Sequence, residues 1–394
     1  MSYIERINLD HFPLWEKMKD KGYLSQVSME LTDRCNNDCV HCYINLPADD
    51  KEAENQEITF EEIKTIADEA VKMGCLSWHL TGGESLLRKD FPGIYLYLKR
   101  KGIRVTLLTN ATLISAKIAK LFKKYPPQNI EVSMYGLRQK TYEAVTRNSG
   151  SFDAFREGIN LLKTNRIPFT FKTAALPQNF HEIKEMRDFA QSLTGKPLGV
   201  ILKLNLGSRF SLGLHGKRDP MKGLRLPPDK VMEVLKQDEE KYRKDMQRFC
   251  QKFLGAPTDD RVFICGAGIG GCHIDAYNNF QLCLLLRHPD CIYGLREGSF
   301  KEAWEKFVPK VRGTRANNEK YKEKCQRCFL KSLCDQCAAW SWMEHGVLDE
   351  PVEYLCEIAH AEAIWLGLLK EGEKAWKVGI RNEPKRPAAL LSCG

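Results

Sequence analysis

The run Thr32-Asp33-Arg34-Cys35-Asn36-Asn37-Asp38-Cys39-Val40-His41-Cys42-Tyr43 decides how this chain is read. Its cysteines stand as C-x3-C-x2-C. Three thiolates so spaced can bind three corners of an iron–sulfur cube, whereas a closed site takes four. The fourth iron is then free for a small molecule, much as a catalytic zinc keeps an open position. A three-cysteine zinc site is the competing reading of this run. The run follows a strand candidate at Gln26–Leu31, short, largely apolar and with a polar exit.

Forty residues on, the mostly apolar run Leu76–Leu80 ends in Thr81-Gly82-Gly83-Glu84. Two glycines at a strand end let a ligand approach the backbone, and a carboxylate beside them can hold an ammonium group. The cysteine triplet after one strand and Gly-Gly-Glu after the next resembles the radical S-adenosylmethionine (radical SAM) enzymes. The resemblance implies a [4Fe-4S] cluster on Cys35, Cys39 and Cys42. Its open iron would be chelated by the amine and carboxylate of SAM, and reductive cleavage would give a 5′-deoxyadenosyl radical. Gly82, Gly83 and Glu84 would then belong to the SAM site. In related maturases a serine and an arginine contact the SAM carboxylate, and Ser133 and Arg147 fall at the matching places. An arginine fork suits a carboxylate.

Around these motifs the chain alternates strands with amphipathic helices. Further strand candidates are 104–109, 129–134, 168–173 and 200–206, and helices fall near 90–101, 115–124, 152–164 and 182–193. The first helix opens at Thr59 with Glu62 three residues on, a capping box. Six β–α repeats predict an α/β fold, a partial (β/α)6 TIM-type barrel with its site at the carboxyl ends of the strands. Lys172, Lys203, Asn205 and Arg209 close the last strands and are candidates to face substrate. The expected division is an arm at 1–24, the barrel at 25–210, a linker loop and helix at 211–260, a cysteine-rich domain at 261–360 and a C-terminal helix and tail at 361–394.

Of fifteen cysteines, nine lie between Cys265 and Cys356. The densest stretch is Cys325-x2-Cys328-x5-Cys334-x2-Cys337, with Cys356 beyond it; Cys265, Cys272 and Cys283 precede it. This region resembles the SPASM extension of radical SAM enzymes, which holds two auxiliary clusters. Carried over, the first would take Cys265, Cys272, Cys283 and Cys337, and the second Cys325, Cys328, Cys334 and Cys356. Two departures are visible. Asn278 replaces a glycine, and it is the residue that best tolerates a left-handed turn after glycine. The last interval is one residue short. Paired C-x2-C units also bind zinc, which stays open as an alternative. Cys291 reads as a spare ligand, a hydrogen-atom donor or an ordinary thiol, and Cys75, Cys250 and Cys393 as ordinary thiols. Histidines beside the motifs (His41, His79, His273) read as packing or backbone-bonding groups rather than ligands.

Length, 394 residues, and 43% hydrophobic content suit a globular chain with a large domain and a smaller one. Cysteine-rich and without a signal core in Met1-Ser2-Tyr3-Ile4-Glu5-Arg6, it reads as cytoplasmic, with metal ligation rather than disulfides. The formal charge of +9 is dispersed among acids, which argues against nucleic acid. No apolar run is long enough to span a membrane.

SPASM enzymes mostly modify peptides or proteins, so the resemblance implies a maturase of a ribosomally made peptide, forming a cross-link, a thioether or an epimerised residue. Formylglycine formation in a sulfatase and side-chain chemistry on a tetrapyrrole are the alternative reactions. An iron–sulfur or zinc-binding electron-transfer protein is the non-enzymatic one. The expected partners are a precursor peptide, an external electron donor and a separate PqqD-like leader-binding protein. The last follows because Met1–Leu24, with its apolar His11-Phe12-Pro13-Leu14-Trp15, is too short to build an independent leader-binding core.

Overall fold

The computed structural model describes residues 23–378 apart from 45, 204–222 and 258, and no side chains at 251–252. The arm before Tyr23, Asn205, Arg209 and Cys393 therefore lie outside the described residues.

Six parallel strands run in order: β1 (Gln26–Glu30), β2 (Ser77–Thr81), β3 (Arg104–Thr109), β4 (Asn129–Ser133), β5 (Thr170–Ala174) and β6 (Gly199–Ile201). Between them lie α1 (Phe60–Lys72), α2 (Phe91–Arg100), α3 (Ala116–Lys124), α4 (Gln139–Thr146), α5 (Ser151–Thr164) and α6 (Ile183–Thr194). Strand alternation sends Val27, Met29, Trp78, Leu80, Val105, Leu107, Ile130 and Val132 into the helical layer, where each is fully buried. The opposite residues, Ser28, His79, Ser133 and Lys172 among them, face the barrel interior.

The cysteine-rich region adds three strands to the same sheet. β7 (Gly271–Ile274) pairs in parallel with β1, Cys272 opposite Val27 and His273 opposite Ser28. Antiparallel β8 (Asn279–Gln281) and β9 (Tyr293–Gly294) follow, giving nine strands in the order β9-β8-β7-β1-β2-β3-β4-β5-β6. The sequence reading left this junction out, because four residues beginning in glycine carry no period. Asn278 sits in the β7–β8 turn at φ 70°, the left-handed conformation its replacement of glycine suggested. Beyond the barrel lie α7 (Pro228–Leu235) and α8 (Glu239–Phe253), then α9 (Ala338–His345) and α10 (Glu353–Trp365). The last of these straddles the boundary expected at 360. Among the described residues, no helix is long and apolar enough to cross a membrane.

The capping box on α1 is complete: Glu62 N donates to Thr59 Oγ1 at 3.2 Å and Thr59 N to Glu62 Oε2 at 2.7 Å. Arg296 from the cysteine-rich region grips the same carboxylate at 2.7 Å. Thr59→Ala should cost about 1 kcal/mol, read as a lower denaturation midpoint; no change would mean that the Arg296 bridge alone holds this end.

Candidate active site

The cysteine loop is held from three sides. Behind it, Arg34 donates to Glu57 through Nε at 2.7 Å and Nη2 at 3.1 Å, both residues nearly buried. Below it, Gly83 N donates to Thr32 O at 2.6 Å and Glu84 N to Arg34 O at 2.9 Å. The C-terminal end of α4 closes the third side. Asp38 N bonds Thr146 O, Val40 N bonds Val145 O, and Asn148 Nδ2 reaches Asn36 O at 2.8 Å.

The thiols of Cys35, Cys39 and Cys42 meet in this loop and line one cavity of about 770 Å³. Burial, then Glu84 and Cys42, pushes the Cys35 thiol up to about 12. Burial and the other two cysteines push Cys39 well up. Three clustered sulfurs, that of Cys39 buried and those of Cys35 and Cys42 partly so, disfavour one another's charge and fit a cationic iron cluster, whose metal charge removes that penalty. Asn37 N (3.4 Å) and Asn110 Nδ2 (3.8 Å) point at the Cys35 sulfur, as donors toward a ligating thiolate do.

Gly-Gly-Glu works differently from the expectation. A Cβ at Gly83 would stand 2.2 Å from Arg34 O, and one at Gly82, where φ is +132°, 2.3 Å from Thr32 O. The glycines are required first by the approach of two protein backbones, and both still line the cavity. Glu84 is fully buried and does not. Its carboxylate accepts from Thr109 Oγ1, Asn110 N and Leu86 N at 2.9–3.1 Å. Burial outweighs these donors and lifts its pKa to about 6. In place of holding an ammonium group, Glu84 fixes Asn110, which in turn bonds Asn36 at 3.0 Å and reaches Cys35.

Ser133 lines the cavity at the end of β4, where the resemblance puts it. Arg147 does not. It adopts the left-handed conformation ending α4 and turns outward to Asp38, with Nη2–Oδ2 at 2.5 Å and Nε donating to Asp38 O at 2.7 Å. It braces the cysteine loop from the α4 side. Arg147→Ala should leave SAM affinity within about twofold, as expected for an exposed pair; a tenfold loss in calorimetric titration would show that the arginine reaches SAM.

Residues read from sequence as packing groups turn out to face the cavity: His41, which packs edge-on to Tyr135 with centroids 5.0 Å apart, His79, and His273 on β7. His273 Nδ1 lies 3.2 Å from Ser28 Oγ, and its Nε2 lies 3.5 Å from Glu30 Oε2. Glu30, at the end of β1, is fully buried and bonded by Arg287 Nη2 (2.7 and 2.8 Å) and Tyr43 OH (3.0 Å). Burial alone would raise this carboxyl, but Arg287 and His273 outweigh it and hold the pKa near about 2. The two lining lysines are engaged: Lys172 pairs with Glu131 at 3.1 Å, and Lys203 with Asp335 at 2.7 Å. A larger open depression of about 870 Å³ lies between α1 and residues 299–309 and holds none of the cysteines.

The remaining thiols fall into groups. Cys325, Cys328, Cys334 and Cys356 lie within electrostatic reach of one another, with the buried Lys331 beside them. Cys337 couples to Cys283 and Cys265. The one-residue shortening between Cys334 and Cys337 is absorbed by Asp335 in the left-handed conformation at φ 58°, so the two sulfurs face different groups. Cys291 is buried beside Cys283. Cys272, buried at the start of β7, is among the residues lining the cavity, and Cys75 is its electrostatic neighbour. Among the described residues, no three His, Cys, Asp or Glu side chains close in tightly enough for one metal ion; a four-iron cube takes its thiolates on separate, wider-set corners.

A partial barrel with a cysteine loop at the mouth of β1 and glycines at the mouth of β2 defines the class as an iron–sulfur enzyme acting on a small molecule held at the strand ends. Residues 29–190 match the Radical SAM superfamily: the chain carries a radical SAM domain and is an enzyme working with a [4Fe-4S] cluster and SAM. Over 334 residues it is 26% identical to the AdoMet-dependent heme synthase of Methanosarcina barkeri, covering 81% of this chain and 93% of that one. Its fold is shared with Streptococcus suis SuiB bound to its precursor peptide SuiA, at TM-score 0.62 and 15% identity, over 87% of this chain and 78% of that one. It is shared too with native anSMEcpe with bound AdoMet, at TM-score 0.63 and 16% identity, over 87% and 96%.

Proposed function

We propose that this enzyme matures a ribosomally made peptide, abstracting hydrogen from one of its side chains inside the barrel. Cys35, Cys39 and Cys42 hold the radical cluster. Gly82 and Gly83 offer their backbone and Ser133 its hydroxyl to SAM. Cys325, Cys328, Cys334 and Cys356 close a second cluster, and Cys265, Cys283 and Cys337 contribute to a third. When bound, cluster and SAM supply one-electron cleavage of the sulfonium and hence a hydrogen-abstracting radical. The chain's own residues seat SAM, exclude water and present the substrate. Auxiliary clusters suit a reaction in which an electron must leave the substrate. An external donor to the radical cluster and a separate leader-binding partner belong to the same reading.

The observation that carries the peptide substrate is the state of the cavity's cations. Among the described lining residues, both lysines are already neutralised by carboxylates, at 3.1 Å and 2.7 Å. A substrate with several carboxylates, such as a porphyrin, would call for free ones. Size points the same way. A drug-sized ligand fills roughly 300–1,000 Å³, so with SAM seated the 770 Å³ left by the protein accommodates a side chain or two. Side-chain chemistry on a tetrapyrrole is the second reading, favoured by the near full-length likeness to the heme synthase. Reduced protein with SAM should be offered, separately, any small precursor peptide that its neighbouring reading frames encode and iron-coproporphyrin III. Mass loss of hydrogen from the peptide supports the proposal; decarboxylation of the porphyrin with an untouched peptide overturns it.

A further inference from the structure

Four lysines and arginines are buried among the described residues, and three of them have carboxylates. Arg34 pairs with Glu57, Arg88 with Asp90 and Arg287 with Glu30, each at 2.7 Å. Lys331 is the fourth, only 4% exposed. Its ammonium donates to Tyr321 OH at 2.5 Å and lies 4.6 Å from the centre of that ring, and among the described residues no carboxylate bridges to it. Tyr321 is buried too, and burial pushes its hydroxyl up, so it is a neutral partner. A buried ammonium resting on a phenol keeps an uncompensated charge, which is costly in a protein interior.

What surrounds Lys331 is sulfur. It opens the short helix Lys331–Cys334, midway between Cys328 and Cys334. After burial, the strongest influences on it are Cys325, Cys328 and Cys334, ahead of Asp259, and Asp259 is already held by Arg261 at 2.6 Å. The other cations near these thiols count for less. Lys203, beside Cys334, is paired with Asp335 at 2.7 Å, and Lys324 and Lys374, beside Cys356, are open to solvent screening. The cation beside Cys283 in the other thiol group is Arg287, which Glu30 neutralises. An anion placed among Cys325, Cys328, Cys334 and Cys356 would supply the charge that Lys331 lacks.

We infer that Lys331 is the buried counter-cation of the cluster on Cys325, Cys328, Cys334 and Cys356, and that it raises the reduction potential of that cluster. A cube closed by four thiolates is a net anion, and taking up one electron adds a negative charge. A positive charge fixed beside it, away from water, favours the more negative form. Lys331 is thus a positioning residue that touches neither substrate nor SAM. It acts through the cluster, making it a better acceptor for an electron leaving the substrate.

The inference rests on the proposed ligand set, and metal counting separates the two claims. In a background with Cys35, Cys39 and Cys42 changed to Ala, reconstituted protein should hold about eight irons, two cubes of four. About four irons with zinc in place of the rest overturns the second cluster, and the inference with it. In that background a potentiometric titration followed by electron paramagnetic resonance should resolve two midpoints. Lys331→Met, which keeps the stem and removes the charge, should lower one of them by at least tenfold in the reduction equilibrium, about 59 mV. Lys331→Arg should hold that midpoint near its original value, and the other midpoint should stay put in both. Adding Cys283→Ala, which removes the other cluster, should leave the midpoint that moves. Midpoints unmoved by Lys331→Met overturn the inference while leaving the clusters standing. So does an equal fall with Lys331→Arg, which would mark a packing role. Should Lys331→Met lose about four irons, retention of all eight by Lys331→Arg supports the counter-charge and equal loss overturns it.

Discussion

Arg287→Met should destabilise the protein by about 3–5 kcal/mol, the cost of leaving a buried charge without its partner. That is a large fraction of an ordinary domain's stability. Glu30 has no access to water and depends on Arg287, with Nη2 bonds at 2.7 and 2.8 Å. The pair ties the end of β1 to the cysteine-rich region, and Tyr43 draws in the cysteine loop. The pH dependence follows from the carboxyl's depressed pKa, about 2 folded against 4.5 for the ordinary group. Its contribution is fully present above pH 4.5 and is lost as pH falls through about 2. Integrated over that window it amounts to about 3 kcal/mol. Arg287→Met should remove this acid-labile part, and Glu30→Gln with Arg287→Met should be less damaging than Arg287→Met alone. Urea melts at pH 7 and pH 3.5 check it; equal melts for wild type and Arg287→Met would dismiss the pair as a structural tie.

Gly83→Ala should empty the radical site. The added methyl would sit 2.2 Å from Arg34 O and 2.8 Å from Asp33 O, both backbone atoms with no side chain to swing aside. Either the cysteine loop moves off β2 or the Gly83 N to Thr32 O bond breaks. Overpacking of this kind costs about 1–3 kcal/mol. The loop carries all three thiols, so the displacement falls on cluster geometry, and about four irons per chain should be lost. Iron analysis with circular dichroism checks it: a folded Gly83→Ala protein with its full iron would show that the loop has slack.

The strands of the barrel were legible because period-two alternation and polar exits bound them; β1 to β5 begin and end within two residues of where the sequence puts them. Helix α4 was missed, since Arg138 at its start gives no capping signal and makes no side-chain cap. The cysteine loop and the glycines were legible as motifs, but what they touch was not. Glu84 and Arg147 read as ligand-binding charges, yet their partners Thr109, Asn110 and Asp38 are brought to them only by the packing of β3 and α4.

The most direct test of the whole account is SAM cleavage. Reconstituted, reduced protein should release 5′-deoxyadenosine and methionine, while protein with Cys35, Cys39 and Cys42 changed to Ala should release none and still hold about eight irons. Undiminished release from that triple variant would contradict the assignment of the radical site.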